Sequence, residues 1–146
     1  MIGRRIGAVA AVFALALTVA ACGGDDDDSS SAATTASSCL EVPATTQQAI
    51  ASGAGASTGG ITPVKAAGYK SPDFEDVTFI AMRFSAEGVD DQVGVWATNN
   101  FDTGGGLMLA VDGFAQQFTD FPDADSTEAA IAIDDPGVAK AKDCLD

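Results

Sequence analysis

The side chains of this 146-residue chain that could carry chemistry are mostly carboxylates: 21 Asp and Glu stand against seven Lys and Arg, with no histidine. Without an imidazole there is no Ser-His-Asp or Cys-His nucleophile and no histidine metal ligand. Carboxylate acid–base work and oxygen ligation of a hard cation remain. The densest acidic group is Asp120, Asp123, Asp125 and Glu128. Closely spaced oxygen ligands suit calcium, but the spacing D-x-x-D-x-D-x-x-E lacks the central glycine and the twelfth-position glutamate of an EF-hand loop. This group, like Asp90-Asp91 and Asp134-Asp135, is read as a solvated acidic loop, with calcium binding as the alternative. Paired carboxylates can also cleave a glycosidic bond. With so many of them in so short a chain, some pair falls at a suitable distance by chance, and a small domain offers little wall for a cleft. The chain is therefore read as non-enzymatic, with no catalytic residue assigned.

Two further features invite a functional reading and have a plainer one. Gly104-Gly105-Gly106 lacks the Lys-Ser/Thr that follows a phosphate-binding loop, and Asp102 stands two residues before it, so it reads as a hairpin loop. Trp96 and Tyr69 are the single tryptophan and tyrosine. Either could anchor a partner or stack on a sugar. Trp96 lies in an apolar run and is expected in the core, as are Met82 and Met108.

The elements that must position these residues begin with a segment that is not part of the domain. Met1 to Arg5 is short and positive, and Ile6 to Ala21 carries no charge. That run is short for a bilayer span, which takes about 20 apolar residues, and it ends in small residues as a signal peptide does. Val19-Ala20-Ala21-Cys22 resembles the lipobox of bacterial lipoprotein precursors. The resemblance covers residues 1–22 alone. It implies a signal peptide over 1–21, diacylglycerol on Cys22 as the one covalent group, and a protein held on the extracytoplasmic face of the cell membrane. Two acyl chains hold stably where one is marginal, at ~0.8 kcal/mol per buried methylene.

Residues 22–38 comprise Cys22, two glycines, Asp25 to Asp28 and a Ser/Thr/Ala run. This composition cannot bury enough apolar surface to offset the ordering of its backbone and reads as a disordered tether. Loss of Arg4 and Arg5 with the leader would leave five basic side chains against 21 acidic, a net charge of −16. Such a surface repels nucleic acid and anionic headgroups alike. Nucleic acid is excluded as a partner, and the lipid has to do the holding.

With Cys22 assigned to the lipid by that resemblance, Cys39 and Cys144 remain. In an exported chain an even pair reads as a disulfide. It would close residues 39–146, 108 residues and one core. Within them, a helix is expected from Pro43 to Ala51, stopped by Ser52-Gly53, and a flexible loop from Gly53 to Gly60. Strands are expected at Ile61–Tyr69, Val77–Phe84, Gln92–Thr98 and Leu107–Val111. The second is apolar on both faces, as a strand usually is that is central and covered on both sides, or covered on one side with a partner face nearby. The turn Glu87–Asp91 precedes the third. Asp112 is expected to cap a short helix whose Phe114, Ala115 and Phe118 share one side, and Asp135 to cap a last helix with Pro136 in its first turn. The expectation is an α+β domain: an antiparallel sheet of about four strands with helices at both chain ends, closed by one disulfide. Its role is read as binding or envelope assembly, with an envelope protein or cell-wall component as partner. A calcium- or small-ligand-binding module is the alternative, and a carboxylate-based glycan-acting enzyme ranks third.

Overall fold

The computed structural model describes residues 38–146. The leader, Cys22 and the tether up to residue 37 lie outside the described residues. The elements are β1 (Leu40–Glu41), α1 (Ala44–Ser52), β2 (Ile61–Lys70), β3 (Thr78–Ala86), β4 (Val89–Thr98), β5 (Met108–Ala110), α2 (Gly113–Phe118), a 3-10 turn (Ala124–Ser126) and α3 (Pro136–Asp143). The class is α+β, as expected. The sheet has five strands in the order β1-β2-β3-β4-β5, every pair antiparallel. The extra strand is β1, whose Leu40 and Glu41 pair with Gly68 and Ala67. Two residues show no periodicity, so nothing in the sequence announces it.

β3 explains the architecture. Its odd-numbered Phe79 and Ala81 and even-numbered Ile80, Met82 and Phe84 are all buried, because side chains alternate across a strand and both faces are covered. Phe79 and Ala81 join Val95, Leu109, Val138, Ala141 and Leu145 in the core under α3. Ile80, Met82 and Phe84 join Ile50, Trp96, Ala115 and Phe118 in a second core under α1 and α2. The chain-end helices thus lie on opposite faces of the sheet, and α2 shares the face of α1. Glycine allows the closest approaches: a Cβ on Gly137 would stand 2.5 Å from the Phe79 ring, and one on Gly94 2.6 Å from the Trp96 ring. These two positions let α3 and the indole lie flat on the sheet.

Several boundaries differ from the expected ones for identifiable reasons. β4 begins at Val89, three residues before Gln92, since Ala86 pairs with Val89 around a turn in which Gly88 takes φ 79°. The ladder then shifts between Phe84 and Ala86, and Asp91 absorbs the extra residue at φ 56°, a conformation that Asp tolerates better than most residues. β2 continues through Pro63 because the ladder shifts between Pro63 and Lys65, where a missing N–H does no harm. Pro43 caps α1 from outside rather than opening it. Asp135 occupies the N-cap position of α3, yet its carboxylate accepts from the Ala132 N–H at 2.8 Å instead of capping. The segment between α1 and β2 is tied down by an Ala54–Thr119 bridge.

The disulfide is formed between Cys39 and Cys144. It joins the residue before β1 to the residue after α3, and so clips the edge strand to the last helix. Among the described residues, no helix is long and apolar enough to cross a membrane.

Candidate functional site

Asp112 leaves the sheet just beyond β5 and enters α2. It is 3% exposed, a rare position for a carboxylate unless it is fully partnered. One oxygen accepts from the Ala115 N–H at 3.0 Å, the N-cap bond expected of it, and from the Val95 N–H at 3.1 Å. The other meets the Lys142 ammonium at 3.0 Å. This is the one salt bridge among the described residues, and it ties β4, α2 and α3 together through a single side chain. Lys142 keeps 41% of its side chain in solvent, so it holds the carboxylate from the wet side. Three donors from three elements engage the carboxylate, which makes it a clamp between them.

A groove of about 400 Å³ opens above this pair, lined by Asp112, Gly113, Phe114, Gln117, Ile133 and Lys142. Phe114 is 45% exposed and Ile133 59%, so the groove has an apolar wall on either side. Phe114 was expected beside Ala115 and Phe118. Ala115 and Phe118 are buried, but Phe114, in the first turn of a six-residue helix, faces the groove and solvent instead. No property of Ile133 or Lys142 in the sequence marks either one, because α3 and the loop before it reach α2 only through the fold.

The acidic residues do not converge. Asp123 accepts from the Gln116 amide at 2.5 Å and Asp125 from the Ser126 hydroxyl at 3.0 Å. The Asp120 backbone N–H donates to the Gly53 carbonyl at 2.8 Å, and Glu128 is exposed in the loop beyond the 3-10 turn. Among the described residues no group of three or more His, Cys, Asp or Glu side chains could hold a metal ion. Gly104–Gly106 lies in a loop packed over α1: Thr46 donates to the Phe101 carbonyl at 2.6 Å and Thr45 to the Asp102 carbonyl at 3.1 Å. Trp96 is fully buried, with its N–H on the Thr119 hydroxyl at 3.2 Å. Tyr69 is half-buried against the α3-side core. Lys65 donates to the Leu145 carbonyl at the end of α3, where the negative pole of a helix favours a cation. Arg83, paired in register with Lys65, carries the one buried side-chain polar atom without a partner among the described residues, its Nε.

Removing the clamp has a calculable effect. Asp112→Ala strips a cap, a second backbone acceptor and an ion pair, and is expected to cost about 2–4 kcal/mol. Lys142→Ala should cost less than ~1 kcal/mol, because solvent already screens the ammonium. Urea melts of the two variants read the difference, and equal losses would show that the ion pair, not the buried oxygens, carries the clamp.

Fold and site together describe an α+β domain with an uncharged short helix and an apolar groove at one end of its sheet. No protein-family model matches the chain, nor does any curated protein or solved structure with which it was compared.

Proposed function

We infer that the protein is a lipid-anchored envelope protein whose disulfide-closed domain works by binding another component of the envelope rather than by catalysis. The observation that carries this is the Cys39–Cys144 bridge, which supports folding in an oxidising compartment and leaves Cys22 as the odd cysteine within the lipobox-like tetrad. Residues 1–21 act as the signal peptide, Cys22 takes the diacylglycerol, and residues 23–38 set the domain off from the membrane. Asp112, committed to three structural donors, and the dispersed acidic residues favour binding over carboxylate chemistry.

The test is metabolic labelling of the full chain with palmitate in a bacterial host. Label should enter the wild-type chain and be lost in Cys22→Ser, while both proteins leave the cytoplasm and show no free thiol at Cys39 or Cys144. A chain that is exported without label would be a plain secreted protein, and free thiols at both positions would remove the export argument itself.

A further inference from the structure

The groove above Asp112 does not stand alone. A second opening, of about 430 Å³, lies on the other flank of α2 and is lined by Ser57, Thr58, Glu87, Val89, Gln117 and Phe118. The two share Gln117, so they form one surface crossing α2. Of the five large apolar side chains exposed among the described residues, Phe114, Ile133 and Val89 lie on it. That concentration on two adjoining grooves matters, because exposed apolar groups scattered singly are ordinary whereas those gathered on one surface mark an interface. α2 itself reads Gly-Phe-Ala-Gln-Gln-Phe, without a charge, in a domain of 17 acidic and five basic residues. Charge is excluded from the middle of an interface and kept at its rim. Glu87 lines the second groove, and the exposed Asp90, Asp91 and Asp134, which follow Val89 and Ile133 in the chain, are taken with it as an acidic rim. The one cation among the residues lining the two grooves, Lys142, is bound to Asp112.

We propose that this surface is the docking site for a protein segment with apolar anchor side chains flanked by Lys or Arg. The anchors enter the grooves on either side of α2, and the basic flanks meet the acidic rim. A second copy of this chain would set two such rims against each other and is disfavoured by like charge. The proposal rests on the binding role inferred above and names the partner's chemistry.

The test uses the full-length mature chain in detergent and a fluorescent helical peptide with Leu and Phe on one face and Lys on the other, followed by anisotropy. Saturable binding is expected, weakening as salt rises from about 0.05 to 0.5 M. Phe114→Ser and Ile133→Ser should each weaken it about tenfold or more. Val64→Ser, at an exposed apolar residue of β2 away from both grooves, should leave it unchanged. Gly113→Leu adds bulk to the lining of the first groove at a position where an added Cβ meets nothing within 4 Å, and should block binding while the fold, checked by circular dichroism, stays intact. The proposal falls if the peptide with Glu in place of Lys binds as well, if Val64→Ser is as damaging, or if no binding appears by about 1 mM. A concentration-dependent dimer abolished by Phe114→Ser would overturn it in favour of self-association. Palmitate label on Cys22 without peptide binding would reject this surface alone. Peptide binding without label would reject the anchor alone.

Discussion

Replacing Cys39 and Cys144 together with serine should lower the stability of the domain by roughly 4–5 kcal/mol, the chain-entropy value for a loop of this length. The bridge spans a sequence separation of 105, nearly the whole domain, so without it the unfolded chain regains the freedom of both ends at once. The native state also loses a local support. β1 has only two pairs with β2 and lies beside the bridge at Cys39, while Cys144 immediately follows α3. Small domains are stable by about 5–15 kcal/mol in total, so the doubly substituted protein should be marginal, with β1 the first element to detach. The single buried tryptophan reports the transition directly by fluorescence in urea. The midpoint should fall steeply, and reductant should move the wild-type curve onto that of the variant. A loss below ~1 kcal/mol would mean that the unfolded ends remain close without the bridge.

The second large effect is expected at Trp96. Its indole is fully buried in the core beneath α1 and α2, edge-on to Phe84 with ring centroids 6.0 Å apart. Phe84 in turn meets Phe118 at 5.2 Å, so the aromatic chain runs from the sheet into α2. The indole N–H donates to the Thr119 hydroxyl, which itself donates to the Ala115 carbonyl at 2.6 Å. Trp96→Ala removes the largest buried side chain and should cost about 3–5 kcal/mol. Trp96→Phe keeps a ring but leaves part of the volume empty, and about 1–3 kcal/mol is expected. Far-UV circular dichroism in urea measures both. If the alanine variant lost no more than the phenylalanine one, α2 would have to collapse into the space, and the grooves on its flanks would change shape with it.

Much of the frame was legible because its causes are local or arithmetical. Two cysteines left at the two ends of the domain have one pairing open to them. The run Val77–Phe84, apolar at odd and even positions alike, reads as a strand suited to the centre of a sheet, and the structure covers it on both sides. Asp112 before a short apolar helix is a cap whatever the fold. Where the causes were not local, the reading was blunter. The pair Leu40–Glu41 becomes a strand only because Gly68 and Ala67 are brought alongside it. Val89 to Asp91 looks like turn sequence and is strand, since the ladder of β3 extends to it and Asp91 accepts a left-handed backbone. Phe114 has the apolar character of a core residue, yet it faces the groove beside Asp112 and Ile133, residues that only the fold brings to it.

The sequence by itself determined the α+β class, the staple, the central strand and the cap, since periodicity, composition and cysteine count act within a few residues or on the chain as a whole. Only the tertiary structure decided that the end helices take opposite faces, that Lys142 closes on Asp112 across 30 positions, and that Val89 and Ile133 line the grooves beside the uncharged helix that carries Phe114. Those facts depend on which distant surfaces the packing brings together, and no pattern along the chain encodes a meeting between residues that are neighbours only in space.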